Sequence, residues 1–162
     1  MAVFLSTYVN KIDKKGRISV PASFRNVLTE QNTSHQQGLI VFRSLDHPTL
    51  EACSHSYMET LSKNIDNLDV SPDERELIET TIFGGSVNLS FDGEGRICLP
   101  KDLMEFCEIS EQACFVGRAK TFQIWSSDRF KAHEEKAREQ ARLKGIRLSQ
   151  IPNLNNLMRD KS

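Results

Sequence analysis

The sequence of 162 residues has no apolar run that approaches the roughly 18 to 20 residues that a membrane span needs. Its first residues, MAVFLSTYV, lack the basic start and the long apolar stretch of a secretory signal peptide. We therefore expect a cytoplasmic protein with no membrane partner. An apolar fraction of 38% with mixed charge is typical of a globular chain and disfavours a disordered one.

Motifs for metal binding and redox chemistry are also missing. The four cysteines form no C-x-x-C pair, and the four histidines have no ligand spacing with them. Three of the four cysteines lie at apolar-looking positions, so buried, reduced thiols are the better explanation. The cysteines are Cys53, Cys98, Cys107 and Cys114. We expect neither a metal nor a cofactor.

Catalytic motifs are equally scarce. No glycine-rich phosphate loop opens a helix after a strand, and Ser, His and Asp occur without a nucleophile-elbow context. Asp92 and Glu94 are close enough to suggest paired carboxylates, but nothing in their loop would raise the pKa of either. We expect a protein that is not an enzyme and has no small-molecule substrate.

Charge is unevenly distributed along the chain. The net charge is −1, yet residues 1–28 carry a net +4, residues 129–162 a net +5 and residues 29–128 a net −10. Such segregation can direct one face of a protein toward phosphate. A solvated surface with uneven charge explains the same numbers equally well.

A short motif occurs twice. DKKGRISVP at residues 13–21 and DGEGRICLP at residues 92–100 share five of nine positions at an offset of 79. The helical i, i+3, i+4 spacing of apolar residues that follows is also repeated. These positions are Phe24, Val27 and Leu28 in the first copy and Leu103, Phe106 and Cys107 in the second.

Each copy predicts a strand, a tight loop, a second strand and a short helix. Asp at the loop entrance can accept backbone hydrogen bonds, and Gly supplies the positive φ of the turn. The proline after the second strand suits the first turn of a helix. The loop should therefore project one arginine, Arg17 or Arg96, from a rigid hairpin. Asp13 and Gly16, like Asp92 and Gly95, shape the loops in this prediction.

The remaining pattern completes two modules. Further strands are predicted at 38–43, 48–51, 113–118 and 122–125, a helix through Leu50–Leu68, a capped helix from Ser71 to Gly84–Gly85, and a last helix from Ser127 to about Lys144. We expect an α+β, mostly antiparallel fold in which the modules pack as a pseudo-twofold pair, because about 45 residues bury too little core alone. The expected boundaries are module 7–54, helical connector 55–82, module 83–126, and a C-terminal helix with a loose tail at 127–162.

The segments FLSTYVNKIDKKGRISVPASFR and FDGEGRICLPKDL resemble the two motifs of the MraZ family, whose members have two tandem AbrB-like (SpoVT-AbrB, swapped-hairpin) modules. The resemblance covers residues from about Phe4 to Lys144. It implies a sequence-specific DNA-binding transcriptional regulator, associated with the nucleoid, that binds short direct repeats of double-stranded DNA upstream of its own operon in the division and cell-wall gene cluster. It also implies a ring-like homo-oligomer, and the apolar length of the Leu50–Leu68 helix independently favours assembly.

The resemblance makes Arg17 and Arg96 the expected DNA-contacting arginines. The basic residues of the first loop are expected to add phosphate contacts. These are Lys11, Lys14 and Lys15, where the second loop offers Gly93 and Glu94. We therefore expect the first loop to contribute more to binding than the second.

Two other interpretations fit parts of this pattern. Asp and Arg can pair across the turn merely to stabilise a hairpin, with no role in recognition. The chain can also be an assembly-only scaffold that does not bind DNA, since the segment 48–82 is amphipathic and could pack between subunits. A scaffold, however, has no need of basic hairpin tips.

Overall fold

The computed structural model describes residues 2–152. The strands are β1 (Thr7–Lys11), β2 (Arg17–Ser19), β3 (Leu39–Arg43), β4 (Leu50–Cys53), β5 (Val87–Leu89), β6 (Arg96–Cys98), β7 (Gln112–Arg118) and β8 (Thr121–Ser126). The α-helices are α1 (Ala22–Gln31), α2 (His55–Ile65), α3 (Pro72–Ile78), α4 (Lys101–Cys107) and α5 (Ser127–Leu143). We call β1 to β4 with α1 the first repeat, and β5 to β8 with α4 the second repeat.

The contacts within the chain divide it into two compact units, Met1–Ser127 and Asp128–Ser162. All strands and helices α1 to α4 belong to the first unit. Within residues 2–152, none of the helices combines the length and apolarity needed to cross a membrane.

The two repeats exchange their first strands. A six-stranded antiparallel sheet has the order β1-β7-β8-β4-β3-β5. In it, β1 of the first repeat pairs with β7 of the second, where Tyr8 lies opposite Phe115. Reciprocally, β5 of the second repeat pairs with β3 of the first, where Val87 lies opposite Val41. The sheet is therefore shared, and each repeat supplies an outer strand to the other.

A short ribbon of β2 and β6 marks the pseudo-twofold axis. These strands pair antiparallel with Ile18 directly opposite Ile97, the two residues related by the offset of 79 in the sequence repeat. Both side chains are 1% exposed. The α+β, mostly antiparallel fold is thus confirmed, and the repeat is related to itself by an approximate twofold rotation.

The core contains residues from both repeats. Phe4 and Phe24 meet edge to face with their ring centroids 5.3 Å apart, and each ring lies 4.9 Å from that of Phe122 in β8. Phe24 is on α1, the helix that follows Pro21, and its counterpart Leu103 on α4 is also buried. The predicted apolar helix faces do cover the core.

The predicted Leu50–Leu68 helix begins too early. Leu50–Cys53 forms strand β4 between β3 and β8, and α2 begins only at His55. Ser54 is the N-cap, and its Oγ accepts a hydrogen bond of 3.0 Å from the N–H of Tyr57. Leu50 and Cys53 are three residues apart, a spacing that fits a helix, but two neighbouring strands offer them a ladder and a buried position instead.

The second connector helix begins and ends as the sequence predicts, whereas α2 ends at Ile65, three residues before the predicted Leu68. Ser71 caps α3, accepting from the N–H of Glu74 at 3.2 Å with Pro72 at the first helical position. A π-helical turn, Glu79–Phe83, continues the helix to Gly84. Arg75 bonds both Asp66 and Glu79, which ties α3 to the end of α2.

The second unit consists mainly of helix α5. This helix ends at Leu143, close to the predicted end, and Gly145 follows with φ of +63°. A 3₁₀ turn covers Leu148–Gln150. The predicted loose tail at 146–162 lies partly outside the described residues, which end at 152.

We predict that Ile97→Ala on the pseudo-twofold axis lowers the free energy of unfolding by about 2–4 kcal/mol, because it leaves a cavity between the repeats. The matched control is Ile146→Ala, since Ile146 is 63% exposed and its truncation should change stability by less than about 0.5 kcal/mol. Denaturant titration of both variants measures the difference. Equal losses of stability would contradict the placement of Ile97 at the contact between repeats.

Candidate nucleic-acid interface

The first loop, residues 13–17, is organised by one carboxylate. Oδ1 of Asp13 accepts hydrogen bonds from the backbone N–H groups of Lys15 and Arg17, each at 2.9 Å. Its Oδ2 accepts from Nε of Arg17 at 2.7 Å. The N–H of Gly16 donates to the Asp13 carbonyl at 3.0 Å. The aspartate therefore closes the turn and fixes the arginine at the same time.

The second loop, residues 92–96, repeats these bonds one by one. Oδ1 of Asp92 accepts from the N–H groups of Glu94 and Arg96, each at 2.9 Å, and Oδ2 accepts from Nε of Arg96 at 2.8 Å. The N–H of Gly95 donates to the Asp92 carbonyl at 3.1 Å. Asp, Gly and Arg occur in both copies, and in both copies they form the hydrogen bonds that close the turn and hold the arginine side chain.

Each loop is attached to the other repeat through its glycine. The N–H of Leu99 donates to the carbonyl of Gly16 at 2.9 Å, and the N–H of Val20 donates to that of Gly95 at 3.2 Å. Gly16 and Gly95 have φ of +85° and +75°, and a Cβ on Gly16 would lie 2.7 Å from the Leu99 carbonyl oxygen. The loops therefore flank the β2–β6 ribbon, one at each end.

The hairpin is less regular than predicted. Beyond the turn, β1 joins β7 while β2 joins β6, so the arms of the first loop enter different sheets. Arg17 and Arg96 are the first residues of β2 and β6, with side chains 40% and 28% exposed. They do not project freely from the loop tip, because each is paired with its aspartate. The hydrogen bond to Asp13 uses Nε of Arg17, so it does not engage the two Nη nitrogens.

These contacts lower the pKa of both aspartates below the ordinary value. For Asp13 the largest cause is the hydrogen bond from the Arg17 backbone N–H. Desolvation of the carboxyl group opposes it and raises the pKa, and the hydrogen bond from the Arg17 side chain lowers the pKa further. Asp92 has the same order of causes with Arg96. The side-chain bond to Asp92 also raises the pKa of Arg96. Both loops therefore hold an ionised pair at neutral pH.

The lysines expected to bind phosphate are exposed. Lys14 and Lys15 occupy the tip of the first loop, and Lys11 lies at the end of β1. At the tip of the second loop stand Gly93 and Glu94, and Glu94 Oε2 lies 3.6 Å from Nη1 of Arg96. The structure thus places the predicted site residues of the two loops at opposite ends of one ribbon, with unequal charge at the two tips, and Lys11 in the neighbouring sheet.

One cation near the loops was not predicted. Arg25 of α1 belongs to the first repeat, yet its guanidinium lies against Gly95 of the second loop. A Cβ on Gly95 would be 2.5 Å from Nη1 of Arg25. The sequence offers no signal for this contact, since the two residues are far apart in the chain and α1 is predicted only by its apolar face.

The cysteines do not form a site. Cys53, Cys107 and Cys114 are buried, and burial raises the pKa of Cys53 to about 12. Cys98 is exposed, and its Sγ donates to the carbonyl of Lys15 at 3.2 Å. Among residues 2–152, no group of three or more His, Cys, Asp or Glu side chains is arranged to hold a metal.

Similarity to known proteins agrees with this architecture. The family model described as "MraZ protein, putative antitoxin-like" matches residues 82–146. A curated protein of Rickettsia akari (strain Hartford), "Transcriptional regulator MraZ", is 46% identical over 139 residues, which cover 86% of this chain and 91% of the relative. The chain belongs to the MraZ family.

Other MraZ relatives match over nearly their full length. A protein of the same name from Rickettsia felis is 45% identical over 148 residues, covering 91% of this chain and 97% of the relative. One from Rickettsia typhi is 42% identical over 151 residues, covering 93% and 99%. The resemblance to the MraZ family is confirmed, and membership supports a role in transcription regulation.

The loop geometry predicts a specific dependence of stability on pH. The pKa of Asp13 and Asp92 is lower in the folded state than in the unfolded state. Their ionisation therefore stabilises the fold above about pH 4, near the unfolded-state pKa. This contribution to stability is lost as the pH falls through the folded-state pKa. The double variant Asp13→Asn/Asp92→Asn should therefore be less stable than wild type at pH 7, and the difference should shrink toward pH 3.

Thermal unfolding at a series of pH values measures this difference. The control is Glu30→Gln, which removes one exposed carboxylate of α1. A gap between wild type and the double variant that stays constant from pH 7 to pH 3 would show that the aspartates do not act through their charge.

Proposed function

We propose that this chain is a sequence-specific DNA-binding transcriptional regulator that contacts double-stranded DNA through its two Asp–Arg loops. The observation that carries the proposal is the identical bonding of Arg17 and Arg96 at the two ends of one ribbon. A free surface arginine would lose side-chain entropy on binding, whereas these two are already oriented.

The chemistry of recognition follows from the guanidinium group. The major groove of B-DNA admits a two-stranded β-ribbon, and arginine can bond guanine O6 and N7 bidentately, for about 1–3 kcal/mol of discrimination. The Nη edge of Arg17 is suited to that contact while Nε stays on Asp13. Lys11, Lys14 and Lys15 would contact phosphates, which adds salt-dependent affinity but no sequence information.

The proposal includes an organisation of the chain. Residues 7–54 and 83–126 are the two AbrB-like modules, residues 55–82 the connector, and residues 127–162 a C-terminal extension. Leu68 in the connector and Leu77 of α3 are 52% and 65% exposed, which favours burial in a ring-like homo-oligomer. Such an assembly would bind short direct repeats in the promoter of its own operon, in the division and cell-wall gene cluster, through many weak loop contacts at once.

The function is tested by selecting DNA fragments from the source genome with the purified protein. We expect enrichment of one site built of short repeats, and Arg17→Ala should abolish that enrichment while costing no more than about 1 kcal/mol of stability, since its ion pair is partly exposed. Arg75→Ala is the control, because Arg75 forms a similar i, i+4 pair with Glu79 in the acidic connector.

Two results would contradict the proposal. A protein that enriches no DNA supports the assembly-only alternative. An Arg17→Ala variant that binds the site as wild type does, or that unfolds, would mean that the Asp13–Arg17 pair serves stability alone.

The lysines of the first loop should control the salt dependence of binding. We predict that Lys14→Gln/Lys15→Gln weakens binding to all DNA sequences and reduces the slope of log affinity against log salt by about one unit for each phosphate that is no longer bound. A salt titration of the double variant beside wild type measures both effects. An unchanged slope would exclude the two lysines from phosphate binding.

A further inference from the structure

The guanidinium of Arg25 is held between the two repeats. Its Nε donates to the carbonyl of Val20 at 3.2 Å, in the first repeat. The N–H of that same Val20 donates to the carbonyl of Gly95 in the second loop, also at 3.2 Å. A Cβ on Gly95 would lie 2.5 to 2.9 Å from Nη1, Cζ and Nε of Arg25, so a side chain at this position would displace the guanidinium from its place against the loop. Arg25 therefore extends the second loop although it belongs to the first repeat.

The same place at the first loop holds an uncharged side chain. The offset of 79 puts Met104 of α4 in the position of Arg25. Its Sδ would lie 3.4 Å from a Cβ on Gly16, so Met104 contacts the first loop as Arg25 contacts the second. The two sites are equivalent in backbone and differ in charge.

The charge difference between Arg25 and Met104 is opposite in sign to the charge difference between the two loops that they contact. Residues 11–17 contain four basic side chains against Asp13, a net charge of +3. Residues 90–96 contain Arg96 against Asp92 and Glu94, a net charge of −1. Like charges at close range cost free energy, so the second loop by itself would be repelled by the DNA backbone. Arg25 brings the local sum to zero, so the additional cation lies at the loop whose own net charge is negative.

We propose that Arg25 is the phosphate-binding residue of the second loop, supplied by the first repeat, and that it allows Arg96 to approach DNA. The inference rests on the proposed DNA binding and deepens it. A guanidinium held at Nε presents its Nη nitrogens to a phosphate in a fixed orientation, and charge-assisted bonds of this kind are the stronger ones. The second loop thus contacts DNA through two arginines from different repeats.

The test is a set of DNA-binding titrations on the fragment that wild type enriches. Arg25→Met, which copies the side chain found at the equivalent position, should weaken binding about tenfold per engaged subunit and reduce the salt slope by about one unit. Arg25→Lys should retain most of the slope because it keeps the charge. Thermal unfolding of each variant shows whether the fold is intact.

Double variants assign Arg25 to one loop. Arg25→Met combined with Arg96→Ala should lower the affinity by less than the product of the two single effects. Arg25→Met combined with Lys14→Gln, in the first loop, should come close to the product of its two single effects. Adding Glu94→Gln to Arg25→Met should restore part of the affinity, because it removes the charge that Arg25 offsets. Arg25→Met/Met104→Arg keeps the net charge and moves the cation to the first loop, and it should remain weaker than wild type.

Each contrary result has one meaning. Wild-type affinity for Arg25→Met, coupling to Lys14 in place of Arg96, or full recovery in the charge-moved variant would overturn the role of Arg25 at the second loop. If Arg25→Met does not fold, Arg25→Gln removes the same charge with a polar side chain, and an unchanged affinity and salt slope in that variant overturns the inference. A wild-type protein that binds no fragment would refute the proposed function itself, which separates the two failures.

Discussion

The exchange of outer strands between the repeats is the constraint on which the rest of the structure depends. Within residues 2–152, β1 pairs along its length only with β7, and β5 pairs only with β3. Neither repeat can complete its sheet alone, so the two must fold together around the contact of Ile18 with Ile97. Because that contact also lies in the ribbon that separates the loops, the packing of the core fixes the distance and direction from one loop to the other.

Fusion of both repeats in one chain permits the loops to differ. In a homodimer of single modules the two loops would be identical by symmetry. Here the shared geometry comes from Asp13 and Asp92, whose carboxylates hold the backbone, so the tip residues are free to change. The first tip carries Lys14 and Lys15, and the second carries Gly93 with Glu94. The two loops of one chain are therefore alike in backbone and different in charge.

Local chemistry and the pairing of the two repeats could be predicted from the sequence, while the particular residue contacts between the repeats could not. Asp, Gly, Arg and the following Pro each have a local physical role, so the loops and the starts of α1 and α4 were predictable. The partner of β1 was not, because alternation shows that a strand is half-buried but not which strand lies beside it. Leu50 fits a helix and a strand equally well, and only its neighbours β3 and β8 decide. Arg25 reaches Gly95 only because the fold brings the repeats together.

The central claim is that both Asp–Arg loops of one chain form a single DNA interface. Amide hydrogen exchange, measured with and without the enriched DNA fragment, tests this claim most directly. The account predicts that exchange slows on DNA binding in the peptides that span residues 13–17 and 92–96, and stays unchanged in the connector peptide that spans residues 72–78. Protection confined to other parts of the chain, or absent from both loops, would contradict it.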